Sequence, residues 1–135
     1  MSLGMERLVY TSRARNDADS LLMQVDILAT SQRNNARDGL TGALLVHDGR
    51  FLQVLEGAAQ DLDRLLARLD KDGRHDEVRI VERGPIQARR FDGWAMASTR
   101  VTPALAMLLE KTLTGAWSSA ETLDRMHEAV QPAAA

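Results

Sequence analysis

The residues of this chain whose types could do chemistry are three histidines, a group of aspartates on one leucine-rich segment, and a few amides scattered through apolar runs. His47, His75 and His127 lie in separate segments without the short spacing that lets two imidazoles hold one metal, so no metal site is expected. Asp61, Asp63, Asp70 and Asp72 offer paired carboxylates on paper. The leucines between them, however, mark an amphipathic helix, on which acids usually form the solvated face. No H-E-x-x-H, G-x-S-x-G, P-loop or G-x-G-x-x-G pattern occurs, and cysteine is absent altogether. Thiolate nucleophiles, disulfides and catalytic acid/base pairs are thereby set aside, and an enzyme is not expected.

What remains is a set of polar side chains where apolar ones would be ordinary: Tyr10, Asn34, Asn35, Gln53, Arg68 and Asp72. Most have a structural reading. Asn34-Asn35 suits a helix C-terminus, Tyr10 a half-buried aromatic, and Arg68 with Asp72 an i,i+4 surface pair. Gln53 is different, because it sits in F-L-Q-V-L-E-G, residues 51–57, a run that reads as buried strand. A pleated strand saturates its own backbone groups, and a buried amide left without partners costs about 1 to 3 kcal/mol. A polar group from elsewhere must meet Gln53.

The elements that would position these residues follow from periodicity. E-R-L-V-Y-T-S (6–12) is a strand with Leu8, Tyr10 and Ser12 on one face and Arg7, Val9 and Thr11 on the other. Asn16 or Asp17 then caps a helix with a stripe of Leu21, Leu22, Val25, Leu28 and Ala29, which closes in the polar run 31–35. Met23 and Ile27 fall outside that stripe and imply a second apolar contact. Asp48-Gly49 between two apolar runs predicts a hairpin of strands 40–47 and 50–56. Leu62, Leu65, Leu66 and Leu69 predict a second helix that stops at Gly73, and 77–83 a further strand leading into Gly84-Pro85. A last strand would carry Trp94, Met96 and Ser98 on one face.

The order β-α-β-β-α-β-β is α+β and ferredoxin-like, with two helices on one face of a mixed sheet. Leu52 and Val54 point away from Phe51, Gln53 and Leu55, so the second face must also be covered. The helical stretches A-L-A-M-L-L-E-K-T-L and S-S-A-E-T-L-D-R-M-H-E-A-V, beyond Pro103, are the expected cover. The 135 residues make one unit of ordinary domain size. With 17 Lys and Arg against 19 Asp and Glu, no electrostatic footprint for nucleic acid or an anionic membrane exists. No apolar run is long enough to span a bilayer, and a cytoplasmic protein is expected.

Five stretches, in this order along the chain, carry a resemblance: L-V-Y-T-S (8–12), S-Q-R-N-N-A-R-D-G-L-T-G-A-L-L (31–45), F-L-Q-V-L-E-G (51–57), D-x-R-H (72–75) and R-R-F-D-G-W-A-M (89–96). Together they resemble the BLUF family of flavin-binding blue-light sensors, in its short stand-alone form. The resemblance implies a flavin held non-covalently between the sheet-packed helices, usually FAD, with FMN and riboflavin as the other flavins that fit. It implies that Tyr10 is the photoactive tyrosine and that Gln53 stands between it and the flavin. Asn35 would meet the flavin C4=O and N3 edge, Asn34 and Arg68 the C2=O side, and Asp72 the far end of the pocket. Ile27 would lie on the flavin-facing side of the first helix. Trp94 and Met96 would compete for the place beside Gln53.

Residues 5–100 are then expected to form the photosensor and 101–131 a C-terminal helical cap that carries the output. The signal would pass from the last strand through the helices to a separate downstream protein or to self-association, and a homo-oligomer is expected. Two rival readings use the same fold: a flavin-free regulatory module, and an acylphosphatase-like enzyme recruiting Arg37 and Asn35, for which the phosphate-cradling loop after the first strand is missing.

Overall fold

The computed structural model describes residues 4–14, 30, 33–47, 50–71, 75–91, 97–98, 103–114 and 119–130. Its strands are β1 (Met5–Ala14), β2 (Thr41–His47), β3 (Arg50–Ala58), β4 (His75–Ile86) and β5 (Ala97–Ser98), and its longer helices α1 (Ala59–Lys71), α2 (Pro103–Leu113) and α3 (Ser119–Val130). The sheet runs β4-β1-β3-β2-β5. From β4 to β2 each neighbouring pair is antiparallel and β5 joins β2 in parallel, giving the mixed ferredoxin-like sheet that the order of elements predicts. The helix expected between β1 and β2 is described only at 30 and 33–37, and most of the last strand, including Trp94 and Met96, lies outside the described residues.

Alternation along β1 and β3 divides the core in two. Leu8, Tyr10, Phe51 and Leu55 face one side, where Leu62 and Leu65 of α1 pack on them with Leu66 and Leu69 at the margin. These are the four leucines at i, i+3, i+4 and i+7; burying a side chain such as Leu62 contributes about 2 to 3 kcal/mol. Val9, Ala43, Leu45, Leu52 and Val54 face the other side, beneath Leu109 of α2 and Leu123 and Met126 of α3. The C-terminal helices therefore cover the second face. Arg83 ties the start of α1 to the sheet, donating to Glu6 at 2.8 Å and to the Ala59 carbonyl at 3.2 Å and pairing with Asp63 at 2.8 Å. The Glu6 hydrogen bond, then Asp63, raises the Arg83 pKa against the opposing effect of burial.

β4 is longer than the sequence predicts, continuing through Gly84 and Pro85 to Ile86. Gly-Pro reads as a break because proline has no N–H to give a ladder. On an outer strand one missing donor is tolerated, and among the described residues β4 pairs with β1 alone. Its pairing shifts twice, between Val9 and Tyr10 and between Thr11 and Arg13, and Glu77 takes a left-handed φ of 52° at the second irregularity. Both shifts bracket Tyr10.

Candidate functional site

Tyr10 and Gln53 are direct cross-strand partners of β1 and β3. Their side chains therefore rise from the same face of the sheet, toward α1. Both are buried, at 2% and 3% exposure, and the Tyr10 hydroxyl donates to Gln53 Oε1. The polar group that Gln53 required is thus, in part, the only tyrosine of the chain.

The chain enters β2 from a helical turn over 33–37, which ends two residues later than the polar run predicts. Gly39 ends it at φ 68°, with Gly39 N–H bonded to the Ala36 carbonyl at 3.4 Å and Leu40 N–H to the Asn35 carbonyl at 2.8 Å. This is a Schellman closure, in which glycine takes the left-handed position without a Cβ penalty. Leu40 is then seated against Gly57 of β3, where any Cβ would come within 2.5 Å of Leu40 Cδ2. The closure fixes Asn35, whose side chain is fully buried. Among the described residues neither Asn35 Nδ2 nor Oδ1 has a hydrogen-bond partner. A buried donor and acceptor left open together cost too much to be a packing residue's ordinary state.

A third open group comes from α1. Arg68 Nη1 donates to Asp38 Oδ2 at 2.9 Å, while Arg68 Nη2 is buried and, among the described residues, without a partner. Asp38 also accepts from Arg37 Nε at 3.1 Å. The Arg37 hydrogen bond, assisted by Arg68 and opposed by burial, holds the Asp38 carboxyl below the usual carboxylate range. Arg68 thus pairs with Asp38, 30 residues away in the chain, while Asp72, the i,i+4 neighbour that sequence spacing offers, lies outside the described residues.

The other side of β3 carries a second polar centre. Glu56 is fully buried, accepts from Arg7 Nε at 2.9 Å through Oε2, and takes the backbone N–H groups of Arg90 and Phe91 on Oε1 at 2.8 and 2.7 Å. Arg89 donates to Thr41 Oγ1 and the Glu56 carbonyl, both at 2.8 Å, and to the Gly39 carbonyl at 2.9 Å. Arg90 pairs with Asp124 of α3, and the Phe91 ring meets His127 edge-on with centroids 5.7 Å apart. Residues 89–91 therefore join the helical closure, β3 and α3.

Of the residues singled out from sequence, the structure brings Tyr10 and Gln53 into contact, buries Asn35, leaves Asn34 half-buried in the same turn, and turns Arg68 toward that turn through Asp38. Ile27, Asp72, Trp94 and Met96 lie outside the described residues, as does Met23. Arg37 is exposed and paired with Asp38 whereas Asn35 is fully buried, so the acylphosphatase-like reading lacks the convergent pair it needs. Asp38, Glu56 and Arg89 were not singled out. Glu56 had the same signal as Gln53, a polar side chain in a two-sided buried strand; Asp38 and Arg89 fall within stretches that carry the family resemblance, but nothing in the local pattern gives either a partner. Among the described residues no group of His, Asp or Glu could hold a metal ion, and no helix is long and apolar enough to cross a membrane.

The open groups are an amide that can both give and accept and a guanidinium N–H. They suit a planar heterocycle whose edge alternates carbonyl and N–H, as the pyrimidine edge of a flavin does. Fold and site together define a ferredoxin-like module with buried polar groups left open for a ligand. The family model "BLUF: Sensors of blue-light using FAD" matches residues 5–97, and the chain belongs to this family of flavin-binding blue-light sensors. It is 28% identical over 125 residues to photoactivated adenylate cyclase subunit beta of Euglena longa, covering 84% of this chain and 14% of that protein. The chain thus spans about one seventh of that relative. The dark-state structure of the BLUF protein BlrB superposes with a TM-score of 0.77 at 28% identity, covering 96% of this chain and 97% of that one. The ground state of BlsA, at 23% identity, TM-score 0.80 and coverage of 95% and 91%, shares the fold.

Proposed function

We propose that the chain is a blue-light photoreceptor in which Tyr10 is the electron and proton donor and Gln53 the switch, with FAD as its flavin. The observation that carries this reading is the buried Tyr10–Gln53 hydrogen bond, together with a buried Asn35 amide open at both ends among the described residues. Asn34, Asn35 and Arg68 hold the flavin by its polar edge, with Ile27 and Asp72 completing its binding, and FMN or riboflavin present the same edge. Bound flavin supplies a blue-absorbing chromophore whose excited state is a one-electron oxidant.

Loss of an electron makes the Tyr10 phenol acidic, and its proton already points along the hydrogen bond at Gln53 Oε1. Return of electron and proton can leave the Gln53 amide reversed or tautomerised. Reversal suits an amide because its two ends differ little in shape but are opposite in hydrogen bonding. A reversed Gln53 directs N–H toward the Tyr10 oxygen and turns its carbonyl to the other side, where Trp94 and Met96 of the last strand compete for the place. The change in hydrogen bonding shifts absorption to the red without net chemistry. The last strand and the helices over Leu52 and Val54 pass the signal to a downstream protein or to a second copy.

Protein produced with flavin available is expected to be yellow, with a small reversible red shift under blue light. Tyr10→Phe should keep the flavin and lose the shift. A colourless protein that takes up no flavin would overturn the reading, and a normal photocycle in Tyr10→Phe would remove Tyr10 from its role.

A further inference from the structure

Arg68 reaches the site from α1, while Asn35 belongs to the turn before β2; Asp38 is the residue that joins them. Its backbone N–H bonds to the Asn34 carbonyl at 3.0 Å, fixing it to the same closure that orients Asn35. Its side chain is only 6% exposed and grips Arg68 Nη1 at 2.9 Å. Arginine's planar fork has fixed angles, so holding Nη1 also fixes where Nη2 points. Nη2 is the buried nitrogen without a partner among the described residues, and Asn35 supplies the other open groups.

We propose that Asp38 is a positioning residue for flavin binding: it clamps one nitrogen of Arg68 so that the other is presented, already ordered, to a carbonyl acceptor on the flavin edge whose neighbouring groups Asn35 meets. This rests on the reading of Arg68 and Asn35 as flavin-holding residues. Without the clamp, Arg68 would have to be ordered at the moment of binding, and its long side chain would lose rotamer freedom then. The second contact of Asp38, with the exposed Arg37, lets the carboxylate stay charged and bidentate between two arginines.

Dissociation constants for FAD, FMN and riboflavin, measured by quenching of flavin fluorescence on addition of flavin-free protein, test this in the full chain, Asp38→Asn, Arg68→Ala and the double variant. Asp38→Asn and Arg68→Ala should each weaken all three flavins roughly tenfold, and the double variant should be no weaker than Arg68→Ala alone. Infrared spectra of the bound flavin give the second readout. In Asp38→Asn a flavin carbonyl stretch should move to higher frequency, toward its position in Arg68→Ala, which a merely structural loss would not produce. Losses that multiply in the double variant, or an Asp38→Asn protein with unchanged affinity and carbonyl bands, would overturn the clamp while leaving the photoreceptor reading in place. Failure of the unaltered chain to bind any flavin would overturn both.

Discussion

Asn35 and Glu56 are both fully buried and polar, and the fold treats them in opposite ways. Glu56 is saturated: a guanidinium and two backbone N–H groups converge on its two oxygens. Asn35 is held as firmly by the backbone closure around Gly39, yet both ends of its amide stay open among the described residues. A satisfied buried group stabilises a specific packing, whereas an open one destabilises the empty protein and is offset only when a ligand arrives. The difference separates the two faces of function in this molecule. One polar centre fixes the frame, and the other is left incomplete for a partner.

Exchanging each residue for an apolar one should therefore move stability in opposite directions. Glu56→Ala leaves Arg7 and the N–H groups of Arg90 and Phe91 without their acceptor, and should cost about 3 to 5 kcal/mol in urea unfolding. A cost under about 1 kcal/mol would mean that water replaces the carboxylate and that the frame does not depend on it. Asn35→Leu, by contrast, should raise the stability of the flavin-free protein by about 1 kcal/mol while weakening flavin binding at least tenfold. Equal destabilisation by both substitutions would erase the distinction drawn between them.

The links at the rim of the Glu56 centre should matter much less. Arg90 and Asp124 are both substantially exposed, so Arg90→Ala is expected to cost under about 1 kcal/mol, with the difference vanishing in high salt. Smallest is the acid response of Asp38. Its carboxyl is held below the ordinary value, so its contribution is complete above about pH 4 and is lost as pH falls through the lowered folded-state value. Asp38→Asn should be less stable than the unaltered chain at pH 6, and the gap should narrow as the pH falls below about 4.

Local rules carried the sequence reading a long way and then stopped at contacts between distant segments. The alternation in F-L-Q-V-L-E-G showed a strand buried on two faces, and from it came the covering role of the C-terminal helices and the demand that Gln53 have a partner. The same alternation placed Glu56 among Leu52 and Val54, but its position near the strand end resembles a solvent edge, and its partners are 34 to 49 residues away. Asp38 was hidden for a similar reason. In R-D-G it reads as turn chemistry, and only the fold brings Arg68 to it. The family resemblance supplied what periodicity could not, a flavin as the proposed partner of Asn35 and Gln53.

The irregular outer strand has one more effect. Val78 and Ile80 are exposed on β4, and a flat strand with such residues at the rim of a sheet would template the addition of further chains. Two register breaks, the left-handed Glu77 and the donorless Pro85 spoil that template along the length of β4. Irregularities of this kind blunt the rim as a template for strand addition, so an exposed apolar pair can sit on an outer strand without inviting edge-to-edge pairing.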